Sequence, residues 1–290
     1  MDKIAIISDV NAGLDYLGKD THIPVLRSVI NFGEDHYIDG IEIKADEFYE
    51  MVQEKLKSGI IPSTSAPTVG EAMELLDRLV QEGYTDVIMY SISFKLSSIG
   101  SMVENLKKDY ESKIKIHVVD TKTAAFMQGY LAVVAKEMAD QGCSVDQIIA
   151  RSNELIKDSH AYFVVDDLRF LVKNGRLSSA KGFFAGLLRI KPVLEMTKDG
   201  RIDTFEKIKT LNKAIERIKQ LFIKETEQAK KLYIMIFHTC REEDAKKLKE
   251  TFKNMISCEA TIDIHMITPA VGAHIGCGIL GFGYYILEKK

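Results

Sequence analysis

The stretch DVIMYSISFKLSSIGSMVENLKKDYESKIKIHVV, residues 86–119, decides the fold class. It opens with an apolar run, Asp86–Ser91, that reads as a strand buried on both faces. A helix-period segment follows over 97–112, and a second buried strand over Ile114–Val119 closes the stretch. Strand, helix and strand in this order read as a βαβ unit, since parallel neighbours need a crossover connection. Upstream, Lys3–Ser8 reads as another buried strand, and residues 45–58 as a helix closed by Gly59. Thr68-Val-Gly-Glu71 is a capping box that opens a helix over 69–82, which Gly83 stops. Downstream, a helix over 123–141 precedes a second box, Ser144 with Gln147, which opens a helix over 145–158. The rhythm predicts an α/β domain with a parallel sheet over residues 1–160.

Past residue 160 the pattern changes. Asp166–Lys173 reads as a helix capped by Gly175, and 178–188 as a further apolar helix. Ile190–Thr197 and Arg201–Lys209 read as a hairpin about the turn Asp199-Gly200. A helix over 211–229, a strand over 232–239, a helix over 242–256 and strands over 259–267 and 282–288 follow. A hairpin among helices predicts a second, mixed α/β domain over 161–290. No Pro-rich or Gly/Ser-rich linker separates the two, so they are expected to pack closely.

Composition narrows the function. At 290 residues the chain is long enough for two cores, and 46% hydrophobic with 28% charged residues is ordinary for a globular protein. A net charge of -3 supplies no general field for nucleic acid or an acidic membrane. No run reaches the ~20 apolar residues of a membrane span. The N-terminus MDKIAIISDV lacks the basic start and cleavage site of a secretory signal, so the cytoplasm is the expected compartment. Cys143, Cys240, Cys258 and Cys277 form no CxxC pair and are expected to be free, buried thiols. The 7 histidines fall in no ligand spacing, so no metal site and no cofactor are expected. Neither a phosphate-binding GxxxxGK[ST] loop nor a GxSxG nucleophile elbow occurs.

Polar loops at strand ends are the candidate site, because open parallel sheets bind ligands there. One helix needs one cap, and Thr68 supplies it, so the hydroxyls of Ser63, Thr64 and Ser65 are left over. Ser93 likewise precedes a helix whose cap is available at Ser97. Hydroxyls beside free helix N–H groups make a seat for a carboxylate or another oxyanion. The run Ile267–Gly281 contains a formal GxGxxG at Gly276, Gly278 and Gly281, but too little chain follows for a dinucleotide-binding unit. It reads instead as a tight turn or a close approach of backbone to a ligand. His274 lies within that run and reads equally as a satisfied core histidine or as a donor to a carboxylate. Asp39-Gly40 reads as a turn, and Cys277 as a buried, inert thiol.

Taken in order, these pieces resemble the DegV family, which includes the fatty-acid-binding subunits of bacterial fatty acid kinase. The resemblance runs nearly end to end. It is carried by Ser8-Asp9, by Tyr37-Ile-Asp-Gly-Ile-Glu42, by Thr64-Ser65-Ala66-Pro67-Thr68 with Gly70-Glu71, and by Ser93-Phe-Lys-Leu-Ser97. Val119-Asp120-Thr121, Leu168–Ser178 (LRFLVKNGRLS), Leu187–Pro192 and Gly272–Gly278 complete it. The resemblance implies a two-domain fold with a ligand tunnel between the domains. It implies a long-chain fatty acid whose carboxylate meets Thr64, Ser65, Ser93 and His274. Phe94, Ile99, Phe126, Phe163, Phe183, Phe184, Leu187, Leu188 and Ile279 are the candidate tunnel walls. The implied partner is a separate ATP-dependent kinase subunit that converts the presented carboxyl to an acyl phosphate. Ala66 stands where the family often has Gln, Ser98-Ile99 where it has Gly-Thr, and Gly276-Cys-Gly278 where it has Gly-Pro-Gly. Its common second-domain Arg is Lys209 here, which lacks a bidentate fork. Two other readings stay open: a hydrolase or acyltransferase using Ser93 or Cys277 with His274, and a regulatory interaction protein that lipid merely stabilises.

Overall fold

A computed structural model describes residues 3–179 and 190–290. In chain order the first half forms strands β1 (Ile4–Asp9), β2 (Val25–Leu26), β3 (Val29–Phe32), β4 (Asp35–Ile38), β5 (Ser63–Ser65), β6 (Asp86–Ser91) and β7 (Lys115–Asp120). Its helices are α1 (Ala45–Lys57), α2 (Val69–Gln81), α3 (Ile99–Asn105), α4 (Lys107–Tyr110), α5 (Ala125–Asp140) and α6 (Val145–Lys157). β2, β1, β6 and β7 make a parallel sheet in that order, with Ile6 opposite Ile88 and Ile88 opposite His117. Side chains alternate across it. Ala5, Ile7, Val87 and Met89 pack under α2 and α3, while Ile6, Ile88 and Tyr90 face α5.

The second half begins with β8 (Ser159–Val164) and α7 (Arg169–Lys173), and continues through β9 (Val193–Met196), β10 (Ile202–Glu206) and α8 (Leu211–Thr226). β11 (Ala229–His238), α9 (Glu242–Met255), β12 (Glu259–Met266), α10 (Pro269–Ile275) and β13 (Leu280–Lys289) complete it. Its sheet has the order β10-β9-β8-β13-β11-β12, in which β11 and β12 run parallel and the other neighbours antiparallel. One face is covered by α8 and α9, where Phe222 stacks on Phe252 at 3.8 Å. The other face, through Ala161, Leu194, Met235 and Tyr285, shares a core with α5 and the first sheet.

Both capping boxes form as expected, at Thr68 and at Ser144. Three features depart from the sequence reading. The helix expected over 97–112 is broken into α3 and α4. A small antiparallel sheet, β4-β3-β5, and strand β8 occupy segments assigned no strand. The glycine-rich run holds a helix, α10, whose N-cap is Thr268, followed by Pro269 at the first helical position. Of the segment expected as a helix over 178–188, residues 180–188, with Phe183, Phe184, Leu187 and Leu188, lie outside the described residues.

α5 is the slab between the two sheets, buried around most of its circumference from Ala125 to Ala135. Tyr285 donates its hydroxyl to Met127 O at 2.9 Å, and Tyr130 stacks on Tyr233 at 4.2 Å. Gly129 lets the helix touch the turn after β1, since a Cβ there would overlap the Ala12 carbonyl oxygen and Phe126. Gly129→Ala is therefore expected to lower stability by about 1–3 kcal/mol, overpacking outweighing the ~1 kcal/mol by which alanine favours a helix. Urea unfolding checks this: the midpoint should fall at unchanged m, whereas an equal or higher midpoint would mean that α5 can shift away freely.

Candidate functional site

His274 and Thr64 lie 210 residues apart in sequence, yet His274 Nε2 and Thr64 Oγ1 are hydrogen-bonded at 2.8 Å. Two seatings make this contact. Thr64 sits on β5, which pairs with β3 so that Ile30 opposes Thr64. His274 sits on α10, whose Thr268 cap accepts from Val271 N. α10 belongs to the second half of the chain but docks on the first. Ala270 N donates to Asp39 Oδ2 at 2.8 Å, and Tyr49 donates its hydroxyl to Ile267 O at 2.8 Å. Gly272 allows the approach, because a Cβ there would overlap Tyr49 Oη at 2.5 Å. Asp39 is thus more than part of a turn: it is fully buried, and its Oδ1 has no partner. Burial, together with Asp15, pushes its carboxyl up to about 7, against the opposing pull of the Ala270 amide and Arg27.

Thr64 and His274 line a cavity of about 230 Å³ with Asn11, Ser28, Ala66, Ser97, Ser98 and Arg176. Arg176 is the residue that the sequence reading missed as a site member. Its Nε donates to Leu96 O at 3.2 Å and its Nη1 to Asn174 O at 2.5 Å. Among the described residues no carboxylate pairs with it, and burial pulls its guanidinium below the ordinary value. Arginine remains charged at neutral pH, so the cavity carries an uncompensated cation. Ala124, Ile202, Val271 and Ile275 line both this cavity and a second, apolar one between the six-stranded sheet, the start of α5 and α10. Met127, Phe163, Met196, Phe237, Ile279 and Phe282 are among the walls of the apolar cavity.

The other expected contacts point elsewhere. Successive strand residues face opposite sides, so with Thr64 turned inward Ser65 is exposed and its hydroxyl accepts from Asn31 Nδ2 at 3.1 Å. Ser93 is fully buried and donates to Gly200 O at 2.7 Å, tying the β9–β10 turn to the end of β6. Neither lines the polar cavity. Of the expected tunnel walls, Phe163 and Ile279 line the apolar cavity, whereas Ile99 packs under α2 and Phe126 packs against the tilted ring of His265 at 4.1 Å. Phe94 is half-buried beside Gly100 and lines neither cavity. The glycines after α10 approach side chains closely: a Cβ on Gly276 would meet Phe170, and one on Gly278 would meet Asp166.

Among the described residues neither Ser93 nor Cys277, the nucleophiles considered from sequence, is coupled to His274, whose Nε2 is taken by Thr64 Oγ1. Ser93 is engaged with Gly200, and Cys277 donates to Tyr49 O at 3.9 Å. The Nδ1 of His274 is buried without a partner among the described residues, and none of them orients the ring as a general base requires. What remains is a hydroxyl, a neutral imidazole and a guanidinium around one polar chamber, with an apolar chamber behind it. Such a set suits a carboxylate attached to an apolar tail.

Burial, with Arg176 nearby, pulls His274 down to about 4. Because this lies below the unfolded value of about 6.5, the folded protein binds fewer protons between those limits. The neutral imidazole therefore contributes stability that is present above pH ~6.5 and is lost as pH falls toward ~4. In a histidine-resolved NMR titration, the His274 ring should stay neutral as pH falls from 7 to about 5. Protonation near 6.5 would contradict this assignment.

These features define an α/β protein of three sheets with a polar chamber opening toward an apolar one. The model of the family described as "Uncharacterised protein, DegV family" matches residues 3–287, and the chain belongs to that family. A DegV domain-containing protein of Halalkalibacterium halodurans is 33% identical over 297 residues, covering 99% of both chains. Among solved structures, the fatty acid binding DegV family protein from Streptococcus agalactiae superposes with a TM-score of 0.88 at 28% identity, covering 98% of this chain and 99% of its own. DegV, a fatty acid binding protein from Bacillus subtilis, gives 0.86 at 30% identity, covering 99% and 100%.

Proposed function

We propose that this protein binds a long-chain fatty acid and presents its carboxyl group to a separate ATP-dependent kinase, which forms the acyl phosphate. One observation carries the binding half: the polar chamber holds Arg176, which pairs with no carboxylate among the described residues, and shares four walls, Ala124, Ile202, Val271 and Ile275, with an apolar chamber between the six-stranded sheet, α5 and α10. In this reading the carboxylate takes Arg176, Thr64 and His274 as partners, while Ser93 acts as a strut between the halves. Burying each methylene contributes roughly 0.8 kcal/mol, so the tail supplies most of the affinity and the head group mainly orientation. The two relatives whose structures are described as fatty acid binding support the choice of ligand. The sequence resemblance to fatty acid kinase subunits supports the kinase. Ala66 and Ser98, both exposed, stand at the chamber's rim, where a second protein could reach the head group.

The binding half is tested by native mass spectrometry and titration with a fatty acid and its methyl ester. Arg176→Gln should weaken the acid by roughly 10- to 100-fold, the range of a hydrogen bond to a charged group, and leave the ester nearly unchanged. Failure of any fatty acid to bind, or equal losses for acid and ester, would overturn the reading. For the kinase half, Thr64→Ala combined with His274→Ala should reduce acyl phosphate formation, measured with ATP and a fatty acid kinase catalytic subunit, more than it reduces chain binding. No acyl phosphate from the wild-type protein, despite bound fatty acid, would remove the kinase from the proposal and leave the binding intact.

A further inference from the structure

None of the four cysteines is buried as the sequence suggests; Cys143 and Cys258 are partly exposed. Cys240 is exposed and Cys277 partly so. A set of hydrogen bonds around Thr239 holds the two side by side. Gly278 N donates to Thr239 O at 3.0 Å, and Thr239 N to Ile279 O at 3.2 Å. The Thr239 hydroxyl donates to Gly276 O at 3.0 Å and accepts from Ile279 N at 3.0 Å. The end of β11 is thereby fastened to the segment after α10, and the residues beside these anchors are Cys240 and Cys277. Cys240 adopts a left-handed φ of 55°, rare for a residue with a side chain, and Cys277 stands between Gly276 and Gly278 at φ of 76° and 87°.

Both sulfurs rest on α1. Gln53 Nε2 donates to Cys240 Sγ at 3.7 Å, and Cys277 Sγ donates to Tyr49 O at 3.9 Å. Tyr49 and Gln53 are one helical turn apart, which brings the two sulfurs to the same stretch of α1. Cys277, with Gln53, holds the Cys240 thiol below its ordinary value despite burial that opposes this. Cys240, with burial, pushes Cys277 up. The pair is therefore unequal: an accessible sulfur with thiolate character beside a protonated one.

We propose that Cys240 and Cys277 are a hydroperoxide-reactive dithiol, in which Cys240 is the nucleophile and Cys277 resolves the product to an intramolecular disulfide. The Cys240 thiolate attacks one peroxide oxygen. The S–O bond forms as the O–O bond breaks, and the departing hydroxide takes up a proton to leave as water. The Cys277 sulfur then attacks the Cys240 sulfenic acid. The S–S bond forms, the S–O bond breaks, and the leaving hydroxide takes the Cys277 proton as a second water. Two thiols are oxidised by two electrons and one peroxide is reduced to two waters. Closure needs the two sulfurs to come within about 2.05 Å of each other. The bond would fasten the end of α10, three residues beyond His274, to the end of β11.

The test treats the reduced full-length protein with hydrogen peroxide, blocks remaining thiols and reads intact mass and peptide maps. The expected product is monomeric, carries two blocked thiols instead of four, and yields one cross-linked peptide joining Cys240 to Cys277. Cys277→Ser should leave a sulfenic acid on Cys240 that a dimedone probe traps, and Cys240→Ser should abolish both adduct and cross-link. Dithiothreitol should restore four blockable thiols. A cross-link through Cys143 or Cys258, a disulfide-linked dimer as the main product, or four thiols still blockable after peroxide would each overturn the proposal. So would a Cys277→Ser protein whose dimedone adduct lies elsewhere than on Cys240.

Discussion

His274 reaches Thr64 only because α10 is seated in the wrong half of the chain. The helix is carried by the six-stranded sheet, but its first turn is held by the buried carboxylate of Asp39 at Ala270 N and its flank by Tyr49 and Phe48. A carboxylate at a helix N-terminus satisfies an amide that would otherwise be orphaned and complements the helix dipole. Asp39 belongs to the short connection after β4, so the small β4-β3-β5 sheet serves both sides of the site. It carries Thr64 on one edge and the anchor of His274 near the other. The polar chamber is consequently a product of inter-half packing rather than of either sheet alone.

Electrostatics then favour one kind of occupant. Arg176 brings a positive charge into a partly buried space without a carboxylate partner among the described residues, and His274 is held neutral beside it. A buried charge is costly until it is paired, so an incoming anion gains what the empty site lacks. The neutral ring avoids a second positive charge and leaves hydrogen bonding as its contribution. Behind this chamber the walls are almost wholly apolar, which extends the preference from an anion to an anion with a hydrophobic tail.

Legibility in the sequence follows the range of the interaction. The strands around residues 86–119, the Thr68 and Ser144 boxes and the hairpin at Asp199-Gly200 rest on neighbours within a few positions, and all appear in the structure. β5 does not announce itself, because Ser63–Ser65 has no apolar pattern and becomes a strand only by pairing with β3. That pairing also decides which hydroxyls face the chamber, information that a count of leftover caps does not contain. α10 did leave a local sign, Thr268-Pro269, which the surrounding glycines obscured. Arg176 had a weaker sign: the nearest acidic residues before it are Asp166 and Asp167, and no acid adjoins it. Asp39 reads locally as a turn, since nothing nearby reveals a partner 231 positions away.

The central claim is that an ionised carboxylate sits inside the polar chamber against Arg176. It is tested most directly by NMR of a bound long-chain fatty acid labelled with carbon-13 at the carboxyl. The account predicts a single bound resonance that stays in the ionised form well below the pH at which the free acid protonates, and that loses this resistance in Arg176→Gln. A bound carboxyl that titrates like the free acid, unaffected by Arg176→Gln, would place the head group outside the chamber and contradict the account.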